Sequence, residues 1–394
     1  RDDFFFTFDG AEHPDGPWSL LRVVELRGEE SISRPFWFEL ETVAATDDVS
    51  VRDLVGRDAA IKIRTNTEPA FRIIHGLITG AVELPVRDPA APARYRVTVS
   101  PPSHRITLTR RSSIFLDKTL RQIVEQVLER QGIGAGLTPS QASRPLLAGD
   151  DVSAYTKPKL TFAWALDDTR RIDDPDAHPY CVQYDESDHD FVARLLEENG
   201  ISYHYEHADD ECCLVLTDFD GGRPEADLGV GPHLKNREVF AFSDGARLRP
   251  KSVFMSDYDW RNPNLDLGVE SPGGVTDFTH MVDPGRYRTD AMGAVLAEKR
   301  EERLDNERSY ATAEGHCRAL GAGQVVTLEH DLDRFRGSYV ITEVRHHGVQ
   351  RDRVTGEDER YRQRLELLRG APVDALVDDI RHAFRSVGAA PVAA

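Results

Sequence analysis

Glu186, Asp188, His189 and Asp190 put three carboxylates and an imidazole within five residues, the side-chain types that carry protons or ligate a metal. Local geometry offers a simpler role. Ser187 precedes a run in which Phe191, Val192, Leu195 and Leu196 fall at helical spacing, and with Asp190 three residues on it has the form of a capping box. Acids at a helix entrance favour its positive end, so this cluster is expected to be structural. Asp173, Asp174 and Asp176 gather oxygens as a calcium loop would, yet the glycine and closing glutamate of EF-hand spacing are missing, and a solvated acidic loop is expected. Asp218 and Asp220 before Gly221-Gly222 read as a turn. His346 and His347 are neighbours in a strand pattern and face opposite ways, so joint metal binding would need a distortion. Cys181, Cys212, Cys213 and Cys317 have neither Cys-x-x-Cys spacing nor a disulfide framework and read as reduced, mostly buried thiols. Gly-x-Ser-x-Gly, the phosphate-binding Gly-x-x-x-x-Gly-Lys-Ser/Thr loop and His-Glu-x-x-His are all missing from the sequence. No catalytic, cofactor-binding or metal-binding residue is therefore nominated, no cofactor is expected, and the chain is expected not to be an enzyme.

The elements that hold these residues follow from periodicity. Tyr180, Val182 and Tyr184 alternate with Cys181 and Gln183 as in a strand with one buried face. The Phe191/Leu195 helix follows, near 188–199, and Asn199-Gly200 supplies its left-handed exit. Strand, capped helix and strand form a βαβ-like packing unit. Leu120, Ile123, Val124, Val127 and Leu128 make a second amphipathic stripe near 119–131, with Thr119 or Asp117 as cap and Gly132 as stop. A third helical stretch, about 289–304, puts Met292, Val295 and Leu296 on one face.

From Phe4 to Val99, short strand-like runs punctuated by Gly, Pro and Asp argue for an antiparallel barrel or sandwich, with 85–92 as a loop. The pattern returns from Leu214 to Leu368. The fold class expected is α+β, mainly β: two antiparallel β-barrels with an α/β portion carrying two amphipathic helices. Expected boundaries are 1–109 for the first barrel, 110–205 for the α/β portion, 206–370 for a second barrel-containing region and 371–394 for a C-terminal helix or tail. In the last of these, Val373, Leu376, Val377, Ile380 and Phe384 form an apolar helical stripe.

The run from Tyr180-Cys181-Val182-Gln183-Tyr184 through Glu186-Ser187-Asp188 to Arg194-Leu195-Leu196-Glu197-Glu198 and Gly200-Ile201 closely resembles the hallmark of a known family. That family is the valine-glycine repeat protein G (VgrG) spikes of type VI secretion systems, with the homologous baseplate hubs of contractile phages. Gly28-Glu29-Glu30, Phe36-Trp37-Phe38-Glu39-Leu40, Asp53-Leu54-Val55-Gly56, His75-Gly76-Leu77-Ile78, Tyr95 to Val99, Asp257-Tyr258 and Tyr339-Val340-Ile341 resemble it in the same order, over about residues 4–368. The resemblance implies a homotrimeric hub joining a six-fold tube to a three-fold puncturing spike. Implied partners are other copies of the chain, a tube protein of the haemolysin-coregulated type, the needle or neck, further baseplate components and effectors. It implies assembly in the bacterial cytoplasm and translocation on contraction. In full-length spikes a neck and β-helical needle follow the hub, whereas here Leu368-Arg369-Gly370 leads into the 373–384 stripe.

Composition bounds the alternatives. The 394 residues are too many for one ordinary core, and 40% hydrophobic content with 29 Gly and 22 Pro is globular. Lys and Arg total 49 against 68 Asp and Glu; the net charge of −19 opposes binding to nucleic acid or anionic lipid. No stretch is long enough to span a bilayer, and Arg1-Asp2-Asp3-Phe4 lacks a signal-peptide pattern. A hydrolase or toxin delivered by such an apparatus is one rival. The other is a carbohydrate- or receptor-binding β-protein that stacks ligands on Trp18, Trp37, Trp164 and Trp260, residues expected instead in the core.

Overall fold

A computed structural model of the chain describes all residues except 1, 46–48, 66–70, 86–90, 143–145, 149–154, 175–179, 227–232, 235–238, 276–277, 351–360 and 370–394. The apolar stripe at 373–384 and part of the acidic 173–176 segment thus lie outside the described residues.

The first strands are β1 (Phe4–Phe8), β2 (Leu21–Ser31), β3 (Arg34–Ala44), β4 (Asp58–Arg64), β5 (Phe71–Leu84) and β6 (Arg94–Ser100), with a short helix α1 (Val51–Leu54) before β4. Next come β7 (Arg110–Leu116), α2 (Leu120–Arg130), β8 (Gly134–Ala135), β9 (Leu147–Ala148), β10 (Lys159–Ala165), α3 (Arg170–Asp173), β11 (Tyr180–Ser187), α4 (Asp188–Glu198), β12 (Ser202–Ala208) and β13 (Glu211–Thr217). The last third holds β14 (His233–Leu234), β15 (Val239–Ala246), β16 (Ser252–Met255), β17 (Val269–Glu270), β18 (Thr279–Val282), α5 (Asp290–Arg308), β19 (Ser309–Gly315), β20 (Val325–Leu328), β21 (Gly337–Val349) and β22 (Tyr361–Arg369).

The chain is mainly β, as its alternating runs predict. Strands from both ends share one 13-stranded sheet in the order β1-β4-β5-β6-β3-β2-β21-β22-β19-β15, with β9 on β5, β20 on β21 and β14 on β20. The antiparallel pairing of β2 with β21, from Glu25 opposite Val349 to Ser31 opposite Glu343, fuses the two halves. Inward parity builds separate cores on the two sides of that seam. Phe6, Phe38, Leu40, Ile61 and Val97 fill the first, which also takes Tyr361 from β22; Val326, Ile341, Val344, Leu365 and Leu367 fill the second.

The free edge of β1 is closed onto β2 by one side chain. The Gln350 amide oxygen accepts from the backbone N–H groups of Asp3 and Phe4, each at 2.8 Å, and its amide nitrogen donates to the Val23 carbonyl at 3.0 Å. Its own backbone N–H donates to Val24 at 2.8 Å. A buried glutamine thus stands in for the missing rung between the two strands.

The α/β portion packs around Phe115, Leu120, Ile123, Phe162, Phe191, Leu195, Leu214 and Leu216. Thr119 and Gln122 form a reciprocal capping box on α2, and the Ser187 hydroxyl accepts from Asp190 N–H at 3.0 Å on α4. Both helices end in the same way: Gly132 N–H bonds Glu129 and Ile133 N–H bonds Leu128, as Gly200 bonds Glu197 and Ile201 bonds Leu196. With φ of 77° and 67°, these glycines take the left-handed position that a side chain would strain. The strand–helix–strand order is as expected, but the unit is not βαβ. β11 pairs antiparallel with β7 in a two-stranded ribbon, while β12 lies in a separate sheet ordered β12-β13-β10-β8. β13 lies beyond residue 205, the expected end of this portion, and its parallel pairing with β10 keeps it there. The third helix runs Asp290–Arg308, longer than expected, and buries Leu296 and Ala297 against Val253, Met255 and Tyr287.

Two expected outcomes follow from this packing. Leu195→Asp places a charge in the α/β core and should cost about 3–5 kcal/mol, whereas Ser187→Ala should cost only ~1 kcal/mol. Urea denaturation separates them, and equal midpoints for the two variants would show that α4 is not held by its apolar face. Gln350→Leu strips the β1 seam of its acceptor and should cost about 2–4 kcal/mol through orphaned N–H groups. An unchanged midpoint would mean that the seam closes without that amide.

Candidate functional site

The acidic cluster around Ser187 is dispersed into structural bonds. Asp188 is 1% exposed and accepts from Gln131 at 2.6 Å and Gln183 at 2.9 Å, with Arg111 at 3.1 Å. It therefore ties the start of α4 to α2 and to both strands of the ribbon. Glu186 pairs with Arg194 at 2.6 Å; His189 meets the Tyr203 hydroxyl at 3.0 Å. Asp173 pairs with Arg121 at 2.6 Å and Asp218 with the buried Arg171 at 2.6 Å, while Asp220 begins a short 3-10 turn. Among the described residues no group of three His, Cys, Asp or Glu side chains is placed to hold a metal. The four cysteines are free and buried, and burial pushes three of the thiols up, Cys181 to about 11, Cys213 to about 12 and Cys212 well above its ordinary value.

The buried polar chemistry lies instead where the three portions meet. Glu30 on β2 pairs with Arg72 on β5, and the Arg72 guanidinium also donates to the Leu320 carbonyl at 2.9 Å. Its second oxygen meets His346 Nε2 at 2.7 Å, and His346 Nδ1 meets the Tyr361 hydroxyl at 2.6 Å. Burial works to raise the Glu30 carboxyl, but Arg72 and His346 outweigh it and hold the group far below the usual range. A Cβ at Gly321 would collide with the Arg72 guanidinium, so the glycine opens its seat. Sequence reasoning missed this network because its bonded partners are separated by up to 316 residues. One signal was present: Glu30 follows Leu26 and Gly28 at inward parity, and His346 follows Val344. His347 faces outward to Glu25 at 3.0 Å, as alternation predicts.

Two surfaces offer contacts. On the outer face of the ribbon, Ile114, Leu116, Tyr180 and Tyr184 are exposed, Tyr184 by 80%, because Phe115, Cys181 and Gln183 take the inward positions. An uncovered apolar strip of this kind marks an interaction surface. The outer face of the main sheet instead carries charges paired across strands: Arg96 with Glu41 at 2.8 Å, Arg345 with Glu29 at 3.4 Å, Arg247 with Glu366 at 3.6 Å. The tryptophans divide, contrary to the expectation of four core residues. Trp18 is buried, Trp164 is half-buried under Arg121, and Trp37 and Trp260 are exposed by 42% and 73%. Trp37 sits at the outward parity of β3, and Trp260 in a loop between β16 and β17. No described helix is long and apolar enough to cross a membrane.

The VgrG1a spike protein of the Pseudomonas aeruginosa type VI secretion system is 26% identical over 87% of this chain and 50% of its own length. Its VgrG4b spike protein is 28% identical over 88% of this chain and 39% of its own. The chain thus spans half or less of these relatives. The actin cross-linking toxin VgrG1 of Vibrio cholerae is 23% identical over 84% of this chain and 29% of its own length. Among solved structures, the Escherichia coli c3393 protein, described as a type VI secretion component similar to the phage T4 tail proteins gp27 and gp5, superposes with a TM-score of 0.63. It is 18% identical, with 93% of this chain and 77% of that one covered. The phage tail baseplate hub (GPD) family model matches residues 29–351, from within β2 to just past β21, and the chain belongs to that family.

Proposed function

We propose that the protein is the structural hub of a contractile injection apparatus, a type VI secretion spike or a phage-tail-like baseplate, in which three copies join a six-fold tube to a three-fold spike. The observation that carries this reading is the hub-family match over 29–351, supported by the likeness to spike proteins named for type VI secretion. Two tube-like halves per chain, fused through β2 and β21, suit that change of symmetry, since three copies present six halves. In this reading residues 1–109 and 206–370 supply the tube-like parts, 110–205 together with β13 the α/β portion, and 371–394 a tail. Partners are two further copies, a tube protein of the haemolysin-coregulated type, the neck or needle, baseplate components and effectors. The hub assembles inside the bacterium and leaves it on contraction.

The hub works by recognition and carries out no reaction. Glu186 and Asp188 are engaged in ion pairs with Arg194 and Arg111 and the Asp190 carboxylate meets Ser187 and His189, which supports a scaffold over a hydrolase or toxin. The ribbon face of Leu116, Tyr180 and Tyr184 is assigned to contact between copies, since apolar area at the centre of an interface is what an obligate assembly buries.

Light scattering coupled to size exclusion should give a three-fold mass for the full chain, with a three-fold ring in negative-stain images. Leu116→Lys with Tyr184→Lys should leave the monomer's stability within about 0.5 kcal/mol while reducing that mass. A strictly monomeric parent would overturn the hub reading, and an intact trimer in the variant would move the contact elsewhere. A second outcome separates scaffold from enzyme. Asp188→Asn should lose about 1–3 kcal/mol and His189→Gln less, and delivery of the tube protein should fall only as far as folding does. A variant that keeps its fold, mass and tube docking yet loses delivery would point to chemistry at this segment.

A further inference from the structure

β12 is fastened to the main sheet partly by histidines. The backbone N–H of His75 on β5 donates to His207 Nδ1 on β12 at 3.2 Å, and His75 Nε2 lies 2.7 Å from the Ala208 carbonyl. These bonds assign the neutral rings: each carries its proton on Nε2, leaving Nδ1 bare. Among the described residues, neither His75 Nδ1 nor His207 Nε2 has a hydrogen-bond partner. Both side chains are buried.

A second proton therefore has a defined and unfavourable destination. On His207 it goes to Nδ1, where the His75 N–H already points, so an acceptor becomes a donor facing a donor. On His75 it goes to Nδ1, which has no acceptor. The surroundings give a cation little help. Facing His207 are His75 and Arg72 from β5 and Glu30 from β2, and the Phe36 ring from β3 packs edge-on at 5.6 Å. Glu30 is already committed to Arg72 and His346. Facing His75 are His207, Asp209 and Asp210 at the β12–β13 turn. Farther along β12, His204 Nε2 lies 3.5 Å from Glu206 and the ring is close to Arg223, with Nδ1 unpartnered among the described residues. Glu206 is itself held by Ser140.

We propose that the His75–His207 contact is an acid-sensitive latch, whose opening releases β12 from β5 while the main sheet stays folded. The other ties of β12 to the main sheet include Ser33 with Tyr203, the Ser103–Tyr205 hydroxyl pair at 2.9 Å and the Phe36–Tyr205 ring contact at 5.3 Å, while the rest of the α/β portion stays attached through β9 on β5 and the Lys157–Asp58 ion pair at 2.7 Å. Burial pushes His75 down to about 4, and burial with the His75 and Arg72 charges pushes His207 down to about 3, both from the ordinary 6.5. The open state thus binds protons first. The contact is whole above pH 6.5, and its contribution is lost as pH falls from there toward the depressed values.

Hydrogen–deuterium exchange of the full chain from about pH 7 to pH 4, corrected for intrinsic rates, tests the latch. Amides of 202–217 should exchange more than about tenfold faster at pH 4.5 than at pH 7, while those of β2 and β21 keep their protection. His207→Asn retains an acceptor for the His75 N–H but cannot be protonated, and should move the opening down by about one pH unit. Should that variant fail to fold at neutral pH, His75→Gln, which keeps a donor for Ala208, is measured the same way. Loss of protection by 202–217 together with β2 and β21, or an unshifted midpoint in the folded variant, would overturn the proposal.

Discussion

The ion pair between Glu30 and Arg72 is the interaction on which the arrangement depends. It starts from β2, the strand that forms the seam with β21, and nothing local specifies it. Two charges taken out of water lose several kcal/mol of hydration each, and their attraction repays this only when the remaining lone pairs and protons are also used. Here they are: Glu30 spends its second oxygen on His346, and Arg72 donates to Leu320. The pair thus requires β2, β5, β21 and the Leu320–Gly321 turn to be in register together. An apolar replacement could match its stability without fixing which elements meet.

That requirement explains the continuity of the sheet. β2 reads as an ordinary amphipathic strand of the first half, and β21 as one of the second. Their pairing brings Glu30 opposite Val344, two residues before His346 on the same face. The same crossing delivers Gln350 to the open edge of β1, where its side chain supplies the bonds a further strand would have made. A one-residue slip along β21 would turn His346 outward and misplace Gln350, so polar groups at both ends of the pairing fix a single register.

The two long-range devices were the least legible part of the chain. Both helices of the α/β portion, their caps and their Gly-Ile exits could be read because capping and termination are decided within six residues. Alternation likewise revealed most strands and the opposite orientations of His346 and His347. Partner choice could not be read: β11 and β12 flank one helix yet enter different sheets, since β7 and β13 claim them through contacts remote in sequence. Of the candidate-site residues, the Ser187 cap stood out, but the engagement of Asp188 with Arg111 and Gln131 depended on tertiary placement. Trp37 and Trp260 show that aromatic character alone does not assign a residue to the core; strand parity and loop position placed them at the surface.

The contrast between the two exposed faces has a physical consequence for assembly. On the outer face of the main sheet, Glu25, Glu29, Glu41 and Glu366 already have cationic neighbours, so another protein docking there must compete with pairs that water and salt accommodate. The ribbon of Ile114, Leu116, Tyr180 and Tyr184 has no such satisfaction, and covering it gains roughly 25 cal/mol for each Å² of apolar surface removed from water. Affinity should therefore concentrate on the ribbon, and the paired charges should set orientation and keep the wider sheet wet. The ribbon is also anchored by the same Asp188 that starts α4, so its position follows that of the α/β core. A contact made through it would sense the placement of that core on the main sheet, to which β12 is joined through His75 and His207.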